Sequence, residues 1–321
     1  MKTTPADIAV VMPLYNEAES VGRVLSELTE ALRQAGPGRL EVVLVDDAST
    51  DDSGAAARKT WEGLAHGDLR SRLHVLRLAA NAGNQAALTA GFQYAGALDC
   101  GLVFAMDSDG QDDPAALPEM IRLLGSHDIV FAERSRRNEP LLWRAGYTIY
   151  RLAFRALLGV DFPYGNFSGF RSEVLDFVLD MGTFRHLAAA LSRSHYRKTS
   201  LRVPRRARLG GAPKMGLGAL VDHGIAALTS YPDAWVRFFS RVALLTTAAA
   251  GAGGLVVVGI KLTTKLAIPG WASVMTLILS MIAFQAVGFL VISAFLSSVL
   301  DHQRARPARK PASAEVLEAR R

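Results

Sequence analysis

The chain has 321 residues, half of them hydrophobic, and a mean hydropathy of +0.18; it can bury one large core or two ordinary ones, and it is more apolar than a wholly water-soluble protein needs to be. The balance of 36 Lys and Arg against 30 Asp and Glu gives a net charge of +6, and because the basic residues gather beside an apolar C-terminal third, anionic lipid is the expected partner and nucleic acid is not. The only cysteine, Cys100, excludes an intramolecular disulfide framework and a thiolate metal cage.

The N-terminus has too short an apolar stretch before Asn16 and Glu17 to read as a secretory signal. Ile8 to Met12 reads as a buried strand closed by Pro13. Ala18 to Ala35 carries Val21, Val24, Leu25, Leu28 and Leu32 at helical spacing and stops at Gly36-Pro37-Gly38. Leu40 to Val45 is a second strand ending in Asp46-Asp47, and a helix over Ala55 to Leu64 follows. A third strand over His74 to Leu78 precedes a helix from Gln85 to Ala97, and Leu102 to Met106 is a fourth strand. The alternation predicts an α/β architecture with a mainly parallel sheet. Further along, Ile129 to Ala132 reads as a strand leading into Glu133-Arg134-Ser135-Arg136-Arg137, Leu141 to Leu158 as a helix, and YGNFSGFR, Tyr164 to Arg171, as a glycine-bearing loop before another helix.

Met215 to Tyr231 places Leu217, Leu220, Val221, Ile225 and Leu228 on one face, as an interfacial helix would. Val242 to Ile260 and Trp271 to Leu300 carry no charge and are each long enough to cross a bilayer, so a membrane hairpin is expected. Trp235, Phe238 and Phe239 would form an aromatic belt at its edge. The stretch from Arg193 to Lys214 and the cluster Arg304, Arg306, Arg309 and Lys310 are basic flanks, which places the bulk of the chain and both termini in the cytoplasm, although Lys261 and Lys265 in the connection count mildly against it. The tail after Asp301 is Pro-, Ala- and Arg-rich and is expected to be disordered.

In sheets of this kind ligands gather at the carboxyl ends of the strands, and three of those ends are polar: PLYNE, DDASTDD and DSDGQDD. No GxGxxG or Walker sequence appears. Asp107 and Asp109 alternate around the turn after the fourth strand and can face one divalent cation, with Gln111 adding a carbonyl oxygen. Such hard oxygen ligands suit Mg2+ or Mn2+, which complete their shell with water and substrate phosphates. A solvated acidic turn is the plain alternative, and Asp112 and Asp113, beside Pro114, read equally well as helix-start residues. His66, His127, His186 and His223 lack ligand spacing.

In order and spacing, VVMPLYNE, VDDASTDDSG, NAGNQAALTAGFQYA, MDSDGQDDP, AERSRR and RLGGAPK resemble the family 2 glycosyltransferases, in particular those that act on polyprenyl phosphates. The resemblance covers Ile8 to Lys214, and the apolar hairpin resembles that of bacterial members. It implies a GT-A type nucleotide-sugar-binding domain over 1–214, juxtamembrane helices over 215–241, spans near 242–260 and 271–300, and a basic tail over 301–321. The membrane would then be the bacterial inner membrane.

Carried over by motif, Pro13, Tyr15 and Glu17 would hold the nucleotide, with Tyr15 against the base, and Asp46 would accept from base or ribose. Asp107, Asp109 and Gln111 would hold Mg2+ or Mn2+ and through it the diphosphate, with Ser108 in the same donor-binding turn. Arg134 would contact the donor, and Arg208 and Lys214 would close over phosphate, so that Asp109, Arg208 and Lys214 form the catalytic set. Arg134 as one of a solvated cluster with Arg136 and Arg137, and Arg208 as a lipid-headgroup contact, stay open. Gly110 stands where Leu is usual, Pro213 where Ser is usual, and YGNFSGFR departs from a more acidic loop.

The activity implied is inverting, metal-dependent transfer of a hexose from a UDP or GDP sugar to a polyprenyl phosphate. A glycan or glycolipid hydroxyl acceptor, or a catalytically silent nucleotide-sugar-binding scaffold, are the alternatives; the sugar and any homo-oligomeric state are left open.

Overall fold

A computed structural model describes residues 7–36, 38–67, 69–135, 164–180, 187–204, 206 and 313–318, with isolated positions between 245 and 299. The chain divides into one unit of residues 1–144, 163–230 and 305–321 and a second of residues 145–162 and 231–304.

The first unit is built on an eight-stranded sheet whose strands are β1 (Ile8–Leu14), β2 (Arg39–Asp46), β3 (Arg70–Arg77), β4 (Leu102–Ala105), β5 (Ile129–Ser135), β6 (Tyr164–Arg171), β7 (Lys198–Pro204) and β8 (Ser313–Glu318). Their order across the sheet is β7-β5-β6-β4-β1-β2-β3-β8. Strands β1 to β4 are mutually parallel, β6 runs against β4 and β5, β7 is parallel to β5, and β8 runs against β3. Six strands therefore point one way and β6 and β8 the other, which bears out the mainly parallel sheet. β1 and β2 are buried along almost their whole length, the continuous apolar run that strands covered on both faces require.

Helices α1 (Val21–Ala35), α2 (Ser53–Gly63), α3 (Asn84–Ala95) and α4 (Leu117–Leu124) follow the first four strands in turn. The helical spacing read in α1 buries Val21, Val24, Leu25, Leu28 and Leu32 together, and they join Met12, Leu14, Leu44 and Phe104 in the core. Helices α5 (Ser172–Asp180) and α6 (Leu187–Arg193) lie between β6 and β7 in the chain. The sequence leads from β1 through β2 to β3 on one side and returns to β4 on the other side of β1. That reversal makes the carboxyl end of the β4-β1 pair a topological switch point, where a crevice opens between loops running opposite ways.

Three expectations need correction. YGNFSGFR is a strand, β6, inserted antiparallel between β4 and β5. Gly169, the second of its two glycines, is there for a close approach, since an added Cβ would overlap the Phe104 ring. The tail after Asp301 is ordered over Ser313–Glu318, where it pairs with β3 from Arg72↔Glu318 to Arg77↔Ser313. Without it β3 would present an open edge of unpaired backbone groups, and Arg58–Glu315 and Arg72–Glu318 ion pairs fasten it. β3 itself begins at Arg70, because Arg70 and Arg72 face outward while Ser71 and Leu73 face in.

The basic stretch from Arg193 is also not wholly available to lipid. Residues Lys198–Pro204 form β7, and Arg197 pairs with Asp128 at 3.2 Å; hydrogen bonds from its side chain and backbone hold the Asp128 carboxyl below the usual range.

The expected helix over Leu141 to Leu158, the amphipathic Met215 to Tyr231 and the aromatic belt lie outside the described residues, as does most of the expected hairpin. Among the described residues, no helix is long and apolar enough to cross a membrane.

Because Gly169 is backed by the Phe104 ring, Gly169→Ala should destabilise the protein by about 2 kcal/mol, the range for overpacking a filled core. A thermal midpoint equal to that of the wild type would show that β6 and β4 separate freely.

Candidate active site

The acidic turn leaves β4 at the switch point and is fixed by neutral, buried contacts. Ser108 is 3 % exposed. Its Oγ donates to the Pro13 carbonyl at 2.6 Å, and its own carbonyl lies 3.0 Å from Ser20 Oγ. Ser20 Oγ also lies 2.9 Å from Glu17 Oε2 and 3.3 Å from the Glu17 carbonyl, so its single proton is shared among three acceptors. Asp112, 4 % exposed, accepts from the Asp107 N–H at 3.0 Å. Asp109 Oδ1 accepts from the Gln111 N–H at 2.9 Å, and Asp113 accepts from Ala115 N–H and so caps the short 3-10 turn Pro114–Ala116. Three of the four aspartates thus accept from backbone N–H groups, Asp113 as a helix-start reading requires. Asp107 and Asp109 are left half-buried at the strand end.

The loops after β1 and β2 lock to each other. Leu14 and Asp46 are paired across the two strands. The Asn16 N–H donates to Ser49 Oγ at 3.1 Å, Thr50 N–H to Asn16 Oδ1 at 2.8 Å, and Glu17 N–H to Ser53 Oγ at 2.7 Å. Asn16 and Ala48 both hold positive φ, 52° and 58°, a strained conformation that such a network maintains. Asp46 accepts from the Ser49 N–H at 2.8 Å and neighbours Arg77, whose Nε is 3.8 Å from Asp46 Oδ2. Tyr15 is 37 % exposed at the rim, whereas Glu17 is 8 % exposed and turned toward Ser20.

Residues without an assigned role in the sequence reading complete the site. Asp47 accepts from the Ala82 and Gly83 N–H groups at 2.7 and 2.8 Å, fixing the approach to α3; burial pushes its carboxyl up despite those bonds. Asn84 Nδ2 reaches Asp107 Oδ1 at 3.4 Å. Asn166 of β6 donates to Asn84 and accepts from Gln85, each at 3.0 Å. The motif NAGNQ had marked this segment, but only the fold brings β6 to it.

Arg206 is the other unforeseen residue. Its N–H donates to the Gln111 carbonyl at 3.2 Å, and its guanidinium pairs with Asp113 at 2.8 Å and with Glu27. The chain two residues before Arg208 is therefore anchored on the acidic turn. Burial works to raise the Glu27 carboxyl, but hydrogen bonds from Arg23 and Arg206 outweigh it and hold it below the usual range. Arg208 and Lys214, and the side chain of Arg134, lie outside the described residues.

Among the described residues, no group of three or more His, Cys, Asp and Glu converges as a protein cage for a metal. What the turn offers is two half-buried carboxylates on a rigid frame. That donor set fits a hard cation held through one or two carboxylates, with water and phosphate oxygens supplying the remainder.

Residues 9–179 match the family described as Glycosyl transferase family 2. The chain is similar to an undecaprenyl-phosphate 4-deoxy-4-formamido-L-arabinose transferase of Edwardsiella ictaluri, 27% identical over 308 residues that cover 94% of this chain and 91% of the relative. It is also similar to a dodecaprenyl-phosphate galacturonate synthase of Rhizobium johnstonii, 34% identical over 156 residues, 46% of this chain and 43% of the relative. Among solved structures, glucosyl-3-phosphoglycerate synthase from Mycobacterium tuberculosis, solved with Mn2+ and UDP, superposes with a TM-score of 0.51 at 18% identity, covering 71% of this chain and 80% of that one. At that identity the likeness establishes the fold, a GT-A-like α/β domain.

The Asp112 carboxylate should matter as an acceptor. Asp112→Ala should cost about 2 kcal/mol, in the range for a hydrogen bond to a charged group, and Asp112→Asn, which keeps one acceptor oxygen, distinctly less. Denaturant midpoints of the purified variants check this; equal losses would mean that the Asp107 N–H bond does not hold the turn.

Proposed function

The chain belongs to glycosyl transferase family 2, and on that premise we propose that it moves a hexose from a nucleotide sugar, UDP- or GDP-linked, to a polyprenyl phosphate, with Mg2+ or Mn2+ and with inversion at the anomeric carbon. The observation that supports this reading is the meeting of the ends of β1, β2 and β4, which brings Asp46 and the acidic turn with Asp107 and Asp109 to the same edge of the sheet. Relatives named for undecaprenyl- and dodecaprenyl-phosphate acceptors support the choice of acceptor.

Asp46 accepts from the base or ribose, and the half-exposed ring of Tyr15 offers a stacking face. Asp107 and Asp109, with Gln111, hold the cation, which when bound offsets the charge that gathers on the departing diphosphate. Ser108 takes no charge in this scheme; it keeps the turn in place against the carbonyl of Pro13. Arg134, Arg208 and Lys214 attract the two anionic substrates and counter their mutual repulsion. A lipid phosphate is ionised at neutral pH and attacks without a protein base, so the work of these side chains is placement and charge compensation.

The acceptor's polyprenyl chain keeps it in a bilayer, and membrane residence of the enzyme follows from the same reading. The charge-free stretches 242–260 and 271–300 support it. So does the second unit's outer surface, where Leu245, Leu277, Met281, Phe284, Ile292 and Phe295 are each more than half exposed. Single exposed apolar residues are ordinary, but six large ones on charge-free segments are what lipid contact requires. The catalytic domain and termini are assigned to the cytoplasmic side of a bacterial inner membrane.

The test incubates detergent-solubilised protein with undecaprenyl phosphate, Mg2+ or Mn2+ and a panel of labelled UDP and GDP sugars. Label from one donor should enter the organic phase; no label from any donor would contradict the reading. In the active mixture Lys214→Ala should lower kcat at least tenfold while changing donor affinity less than threefold, and equal losses in both would make Lys214 a binding residue only.

A further inference from the structure

A cavity of about 220 Å3 opens beside the ends of β2 and β3; its lining includes Asp46, Gly54, Arg58, Val75, Arg77 and Glu315, together with the acids Asp51 and Asp52. It is smaller than the roughly 300–1,000 Å3 of sites that enclose a drug-sized ligand, a size for one heterocycle rather than a whole nucleotide sugar. All of the lining but one residue comes from the β2-α2-β3 region. Glu315 comes from β8, 257 positions from Arg58, yet its Oε2 accepts from Arg58 Nε at 2.7 Å.

The chemistry of the lining is uneven in an informative way. Val75 is buried and gives an apolar surface. Asp46 spends Oδ1 on the Ser49 N–H, and its Oδ2 borders the cavity 3.8 Å from Arg77 Nε. A Cβ on Gly54 would lie 3.4 Å from Arg58 Nη1 and 3.9 Å from Asp46 Oδ2, so the missing side chain leaves a guanidinium and a carboxylate oxygen bordering the same small space. Together they offer an acceptor and a donor side by side. Uracil and guanine answer that pair with a ring N–H next to a carbonyl. An arginine with an exposed stem would sample many rotamers, and losing that freedom on binding costs affinity. Glu315 removes the cost in advance by holding the guanidinium.

We propose that β8 is part of the donor site: Arg58 reads the nucleobase together with Asp46, and Glu315 is the positioning residue that sets Arg58. The proposal rests on the nucleotide-sugar reading above and extends it to a segment of the chain beyond the family match at residues 9–179. It also gives β8 a purpose besides covering the β3 edge, and the second pair, Arg72–Glu318, would then serve to keep Glu315 in register.

The test is calorimetric titration of UDP and GDP, each with Mn2+, into full-length protein in detergent, alongside donor kinetics. Wild type should bind at least one of the two. Glu315→Gln, which keeps the strand's backbone pairing, should weaken the preferred nucleotide about three- to tenfold and raise donor KM by the same factor, with kcat within twofold. Arg58→Ala should weaken it at least as much, and adding Glu315→Gln to Arg58→Ala should change nothing further, since Glu315 acts through Arg58. Additive losses, or a Glu315→Gln protein that binds like wild type, would overturn this proposal and leave the donor reading standing. Wild type that binds neither UDP nor GDP would overturn both.

Discussion

The site depends on one small side chain. Ser108 sits between two acidic residues at the end of β4, and its buried hydroxyl is bonded to the Pro13 carbonyl while its own carbonyl faces Ser20. Each such bond contributes on the order of 1 kcal/mol. The pair ties the turn to β1 and to the start of α1 without adding charge. A turn with four carboxylates would relieve its repulsion by opening into water, and a neutral anchor opposes that while leaving Asp107 and Asp109 at the strand end. Asp112 adds a third tie through the Asp107 N–H.

The same division of labour runs around the switch point. Some acids are spent inside the fold: Asp47 on the Ala82 and Gly83 N–H groups, Asp113 on its 3-10 turn and on Arg206, Glu17 on Ser20. Others face the crevice. Arg206 neutralises part of the acidic excess, bonding through its N–H to the Gln111 carbonyl and through its guanidinium to Asp113. β6 brings Asn166 to Asn84 and Gln85, and Asn84 in turn to Asp107, so amide groups border the turn on the side away from Asp46.

Much of this was legible in the sequence, and the parts that were not share a cause. β1, β2, β4 and α1 were plain because continuous apolar runs and a helical spacing need only local reading. The acidic turn was plain because so much like charge after an apolar strand requires an explanation. β6 was hidden because Gly165, Asn166 and Gly169 lower strand propensity, and only Phe104, more than sixty residues earlier, explains Gly169. β8 was hidden because composition speaks for 301–321 as a whole, whereas the six residues 313–318 pair with an edge that the tail cannot reveal. Ser20 and Arg206 act through contacts set by the tertiary fold, and nothing in their own neighbourhoods announces them.

The most direct test is Mn2+ binding followed by electron paramagnetic resonance on the full-length protein with UDP or GDP present, comparing wild type with Asp109→Ala. The wild type should draw Mn2+ out of solution in a nucleotide-dependent way, and the variant, folded to the same thermal midpoint, should leave most of it free. Equal nucleotide-dependent uptake by the two proteins would contradict the assignment of the β4 turn as the seat of the metal and of the diphosphate it would hold.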